Sequence, residues 1–116
     1  MKRPLAYITA AWSGEPAVDT ELAAHYCRTV YEAGFSPICP MLYLPLFLNN
    51  AVPEEHKSGI DMGRDMLRRS RVLVVCGKEI DEDVKNDIAV AQRLNITATT
   101  LDGILTVNQQ GRNEYD

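Results

Sequence analysis

The chain has 116 residues, a formal net charge of −4 and 46% hydrophobic residues. That suits one domain spanning 1–116 with a single core, and it is too apolar for a disordered chain. No apolar run reaches the roughly 18 residues of a membrane helix, and the acidic balance speaks against a protein that grips a nucleic-acid backbone.

Leu5 to Ala11 reads as a first strand that starts directly after Pro4, and Trp12-Ser13-Gly14-Glu15-Pro16 breaks it with turn chemistry. From Thr20 to Ala33, Leu22, Tyr26, Val30 and Ala33 share one helical face, with Asp19 or Thr20 as cap and Gly34 as stop. Phe35 to Cys39 is a short second strand closed by Pro40. Strand, helix and strand at this spacing form one βαβ unit, hence a right-handed crossover and a parallel sheet.

Met41 to Leu48 is very apolar, yet Pro40, Pro45 and Pro53 unfit it for a central strand or a helix. It is expected to close a pocket and to take part in subunit contact, which makes the protein a homo-oligomer. Glu54 to Arg69 reads as the second helix, with Ile60, Gly63 and Leu67 in one stripe and Met62 and Met66 beside it. Asp61 and Asp65 share a face of that helix.

Val72 to Val75 has the length and β-branched content of a strand buried on both faces. Gly77 opens an acidic loop, and a helix begins at about Asp83 with Asp81 or Asp83 as cap and Val84, Ile88, Ala91 and Leu94 at helical spacing. Asn95 to Leu101 reads as a fourth strand, and Ile104 to Val107 as an edge strand or a segment that crosses a subunit boundary. The alternation predicts an α/β fold: a small doubly wound parallel sheet of four to five strands, flavodoxin-like or Rossmann-like, with helices on both faces.

Several chemistries lack their residues. No GxGxxG follows the first strand, and there is no GxxxxGK[ST] and no GxSxG. His25 and His56 are isolated, and Cys27, Cys39 and Cys76 are odd in number without a CxxC pair. No metal, other cofactor or disulfide framework is therefore expected, and the setting expected is reduced and cytoplasmic. The Pro4 to Ala11 run is too short and too polar-flanked for a signal peptide.

Carboxylates remain. Glu79, Asp81, Glu82, Asp83 and Asp87 crowd the loop and the start of the third helix, where acidic side chains are favourable on dipole grounds alone. Asp87 lies past the cap and beside the Val84, Ile88, Ala91 stripe. Facing the strand ends, it would be a partly buried carboxylate in a cleft, a candidate nucleophile or base.

Tyr7-Ile8-Thr9-Ala10-Ala11-Trp12 resembles the first-strand signature of the nucleoside 2-deoxyribosyltransferases, and Ile80 to Leu94 resembles that superfamily's acidic loop and catalytic helix. From Tyr7 to Ile96 the chain is similar to a small branch of the superfamily. The shared features are Ala33-Gly34-Phe35-Ser36-Pro37-Ile38 with a following proline and Tyr43, Arg64 to Arg69 leading into Val72 to Gly77, and Ile88 to Ala91 leading into Leu94-Asn95-Ile96.

The resemblance implies cleavage or transfer of the N-glycosidic bond of a 2′-deoxynucleoside through a glycosyl ester on a carboxylate. Asp87 stands at the nucleophile's position, Tyr7 at that of the tyrosine which orients it, and Asp81 at the position that holds free sugar hydroxyls. Thr9, Ala10, Trp12 and Gly77 fall in the implied substrate site, with Trp12 or the 41–48 loop against the base. Asp61 or Asp65 matches the aspartate that protonates the base. Two departures stand out: Asp87 replaces a glutamate, and Asp83 replaces a glycine. They leave a second expectation, a binding domain that keeps the pocket and senses a nucleoside-type ligand without turning it over.

Overall fold

The pivot of the fold is the pairing of Leu5–Ala10 (β1) with Val72–Cys76 (β3), which lie side by side and parallel at the middle of a four-stranded sheet. Ser36–Ile38 (β2) flanks β1 and Thr97–Thr100 (β4) flanks β3, both parallel, so the order is β2-β1-β3-β4. The structure is a computed structural model and describes residues 3–106. Helices Pro16–Glu32 (α1), Pro53–Arg68 (α2) and Glu82–Arg93 (α3) make the crossovers. No described helix is long and apolar enough to cross a membrane.

Side chains alternate across β1 and β3 and divide the core in two. Ala6, Ile8, Ala10, Val74 and Cys76 pack on one face with Ala23 and Val30 of α1 and with Ala33 just past its end. Tyr7 and Leu73 pack with Leu67 of α2 and Val90 and Ala91 of α3 on the other. The register pairs Tyr7 with Leu73 and Ile8 with Val74, so each strand contributes to both layers. This is the doubly wound α/β sheet expected of the alternation.

Local chemistry moves several boundaries. Pro16 sits in the first turn of α1, so the helix begins a turn before Thr20, and Asp19 lies inside it rather than capping it. The buried stripe of α1 is rotated as well: Ala23 is buried and Leu22 is exposed. On α2, Gly63 and Leu67 are buried while Ile60 and Met62 are exposed. The 41–48 segment folds as two single 3-10 turns, Pro40–Leu42 and Leu44–Leu46, as its proline spacing requires.

The expected edge strand at Ile104 to Val107 is not found. Residues 101–106 are helical, and Leu101 belongs to that helix rather than to β4. The Thr100 hydroxyl accepts from the Gly103 backbone N–H at 3.0 Å, a capping bond that ends β4 and starts the helix. Ile104 is buried against the α1 face. Val107 and the rest of the tail lie outside the described residues.

This layering makes a stability prediction. Leu73→Ala, at a position with no exposure, should lower the unfolding free energy in urea by about 2–5 kcal/mol. Leu46→Ala, at a position 83% exposed, should change it by less than about 0.5 kcal/mol. Equal losses would contradict the two-layer packing.

Candidate active site

Asp87 is carried toward β1 by the second turn of α3. The helix is fixed at its start by Asp81, whose Oδ1 accepts from the Val84 backbone N–H at 2.9 Å, and Val84 is fully buried. From there Asp87 reaches the Thr9 hydroxyl, which donates to Asp87 Oδ2 at 2.7 Å. Thr9 is 4% exposed and lies on the same face of β1 as Tyr7. Among the described residues Asp87 Oδ1 has no hydrogen-bond partner, and it is not sealed from solvent.

The site raises the affinity of this carboxyl for a proton. Burial pushes the Asp87 pKa above the ordinary aspartate value and the Thr9 hydrogen bond opposes that. Asp83 raises it further, Arg64 lowers it, and Asp81 adds a smaller upward push. Tyr7 is pushed upward too, mainly by burial and then by the Asp87 charge, so its phenol stays protonated. Gly63 makes room for that phenol: a Cβ on Gly63 would lie 3.0 Å from the Tyr7 hydroxyl.

Asp87 and Tyr7 line a cleft of about 280 Å³ between α2, α3 and the 40–50 segment. Its walls are apolar where Met41, Leu44, Leu48 and Ile60 contribute, and polar where Asn50, His56, Arg64, Asp83 and Asn86 do. Thus the greasy 41–48 segment does wall a pocket, while Leu46 and Phe47 point away from the core, 83% and 58% exposed. Among the described residues no group of three or more His, Cys, Asp and Glu is arranged to hold a metal ion.

The other expected site residues fall elsewhere. Ala10, Trp12 and Gly77 line a second cleft, on the α1 face of the sheet. One residue along a strand reverses the side chain, and Ala10 therefore cannot share a face with Thr9. Asp81 is used as the cap of α3 and does not line the Asp87 cleft. Asp61 is exposed, and Asp65 pairs with Arg69 at 3.3 Å and Arg68 at 3.6 Å, so neither reaches the cleft. Tyr7 lines the cleft without hydrogen-bonding Asp87; the hydroxyl that holds the carboxylate belongs to Thr9.

Residues 4–101 match the family model described as "Domain of unknown function (DUF7768)". The chain belongs to this family. The matched span holds β1, α2 and α3, so Tyr7, Thr9 and Asp87 all lie within the DUF7768 domain. No curated protein matches the chain.

The raised Asp87 pKa has a thermodynamic signature. A carboxyl that binds its proton more tightly folded than unfolded costs stability above its folded pKa, and the cost disappears as pH falls through that value. Asp87→Asn keeps an acceptor for Thr9 and removes the charge. Its thermal midpoint should exceed that of the wild type at pH 7–8, and the difference should close as the solution is acidified. Matching midpoints across the whole range would refute a raised pKa.

Proposed function

We propose that the domain cleaves or transfers the N-glycosidic bond of a 2′-deoxynucleoside, with Asp87 as nucleophile. The observation that carries the reading is the Asp87 carboxylate itself: one oxygen held by Thr9 at 2.7 Å, the other without a partner in a mainly apolar cleft that has a polar side. In this reading Oδ1 attacks the anomeric carbon, the base departs with the bonding pair and takes up a proton, and a glycosyl ester remains. A second base or water then releases the sugar. Negative charge from Asp87 and Asp83 favours the cationic transition state.

The apolar wall of Met41, Leu44, Leu48 and Ile60 suits the flat base, and Asn50, Asp83 and Asn86 suit sugar hydroxyls in the role first expected of Asp81. Tyr7, protonated, can donate to the sugar or to the ester oxygen. Exposed Leu46 and Phe47, beside the cleft wall, support a contact with a second copy of the chain. Three free thiols, Cys27, Cys39 and Cys76, support a reduced, cytoplasmic compartment.

The test is chromatography of free base after incubation with each 2′-deoxynucleoside, with and without a second base. Exchange or release is expected, with at least about a hundredfold loss in Asp87→Ala. Turnover that survives Asp87→Ala removes it as nucleophile. No turnover by wild type or Asp87→Glu, with nucleoside still bound, leaves a sensor domain in place of the enzyme.

A further inference from the structure

The three cysteines of the chain converge on the α1 face of the sheet. Along α1, Ala23, Tyr26, Cys27 and Val30 follow helical spacing on the side turned to the strands, and Cys27 packs half-buried against the core there. Pro37 of β2 lies opposite Ala6, and alternation puts Cys39, two residues on, on that same face, where it is buried. Cys76, at the end of β3, lies opposite Ala10 and is buried with it. We propose that Cys27 and Cys39 are an oxidation site for peroxides, at which Cys27 takes up the oxygen and Cys39 closes a disulfide with it. The proposal does not rest on the reading of Asp87.

The pairing is selective. α1 packs against β2 and against the Pro40–Leu42 turn, which Cys39 directly precedes. There the Cys27 and Cys39 thiols are hydrogen-bonded to each other. Cys39 and Cys76 belong to strands with β1 between them, hence about 10 Å apart at two strand spacings. That exceeds the roughly 7 Å of Cα separation that a disulfide can span. Cys76 lies beside Tyr26 in the second cleft and points its thiol at the Val74 carbonyl, 3.9 Å away.

The two paired thiols differ in the way the chemistry needs. The hydrogen bond that Cys27 accepts from Cys39 favours the Cys27 thiolate and holds it below the ordinary cysteine range, against the opposing effect of burial. The same hydrogen bond, and then burial, push Cys39 up, so it keeps its proton. One thiol is thus reactive and half-exposed, and the other stands behind it in the core to resolve the product. Burial, and then Cys27, push the Cys76 thiol up to about 12, which keeps it unreactive.

The Cys27 thiolate attacks one peroxide oxygen, forming an S–O bond as the O–O bond breaks, and the departing oxygen takes a proton to become water or an alcohol. The Cys39 sulfur, giving up its proton, then attacks the Cys27 sulfenic sulfur; the S–S bond forms, and hydroxide leaves with that proton as water. The pair loses two electrons and the peroxide gains them. Pro40 and Met41, next in the chain, wall the Asp87 cleft, so the bridge ties that wall to α1.

Trypsin, cutting after Arg28, Lys57, Arg71 and Lys78, puts each cysteine on its own peptide, so mass spectrometry reads the pairing directly. Reduced wild type, given limiting hydrogen peroxide, should lose two hydrogens at monomer mass. After alkylation under denaturing conditions and digestion, the Cys27 and Cys39 peptides should be joined and the Cys76 peptide alkylated, and dithiothreitol should undo the bridge. In Cys39→Ser, oxidation should stop at a Cys27 sulfenic acid that dimedone captures, whereas Cys76→Ser should bridge as wild type does. The proposal is overturned if Cys27 and Cys39 both remain alkylated in peroxide-treated wild type, if either is joined to Cys76, or if only bridges between chains form.

Discussion

The hydrogen bond from Thr9 to Asp87 joins two parts of the chain 78 residues apart, and the account of the site depends on it. Thr9 is part of a central strand of the sheet, so its hydroxyl is positioned by the pairing of β1 with β3, where Thr9 lies opposite Val75. Asp87 is part of a helix whose start is pinned by Asp81 and whose buried stripe anchors it to β3. The short aspartate side chain thereby gains a defined position without the reach of a glutamate. One oxygen is spoken for and the other is open.

The alternation of side chains along β1 has a second consequence. Tyr7 and Thr9 face α2 and α3, while Ala6, Ile8 and Ala10 face α1. Chemistry-bearing groups from a single strand signature are thus sent to opposite sides of a sheet. The carboxylate cleft lies on one side and the tryptophan crevice on the other. They differ in character: the first holds a raised carboxyl among mixed apolar and polar walls, and the second is lined by the rings of Trp12 and Tyr26.

The fold was readable because its punctuation is strong. Pro4, Gly34, Pro40, Pro53 and Gly77 bracket the strands and helices, and Val72 to Cys76 admits little besides a buried strand. Asp87 was readable as a carboxylate past its cap. Thr9 as its partner was not, because local sequence carries no sign of a contact across the whole domain. Asp19 looked like a cap because acidic residues at helix starts usually are caps, and Pro16 supplied the earlier start. Leu22 has the size of a core residue but is exposed, and the small Ala23 beside it takes the buried position against the sheet. Thr100 is both the last residue of β4 and, through the bond from Gly103, the cap of the helix that follows.

The central claim is tested most directly by a carbon-13 NMR titration of the Asp87 side-chain carboxyl in wild type and in Thr9→Val. The account predicts a wild-type midpoint above that of an ordinary aspartate, raised further when the Thr9 hydroxyl is removed, because the hydroxyl stabilises the charged form. Thr9→Ser should restore the wild-type value. A midpoint in the ordinary range, or one indifferent to Thr9→Val, would contradict it.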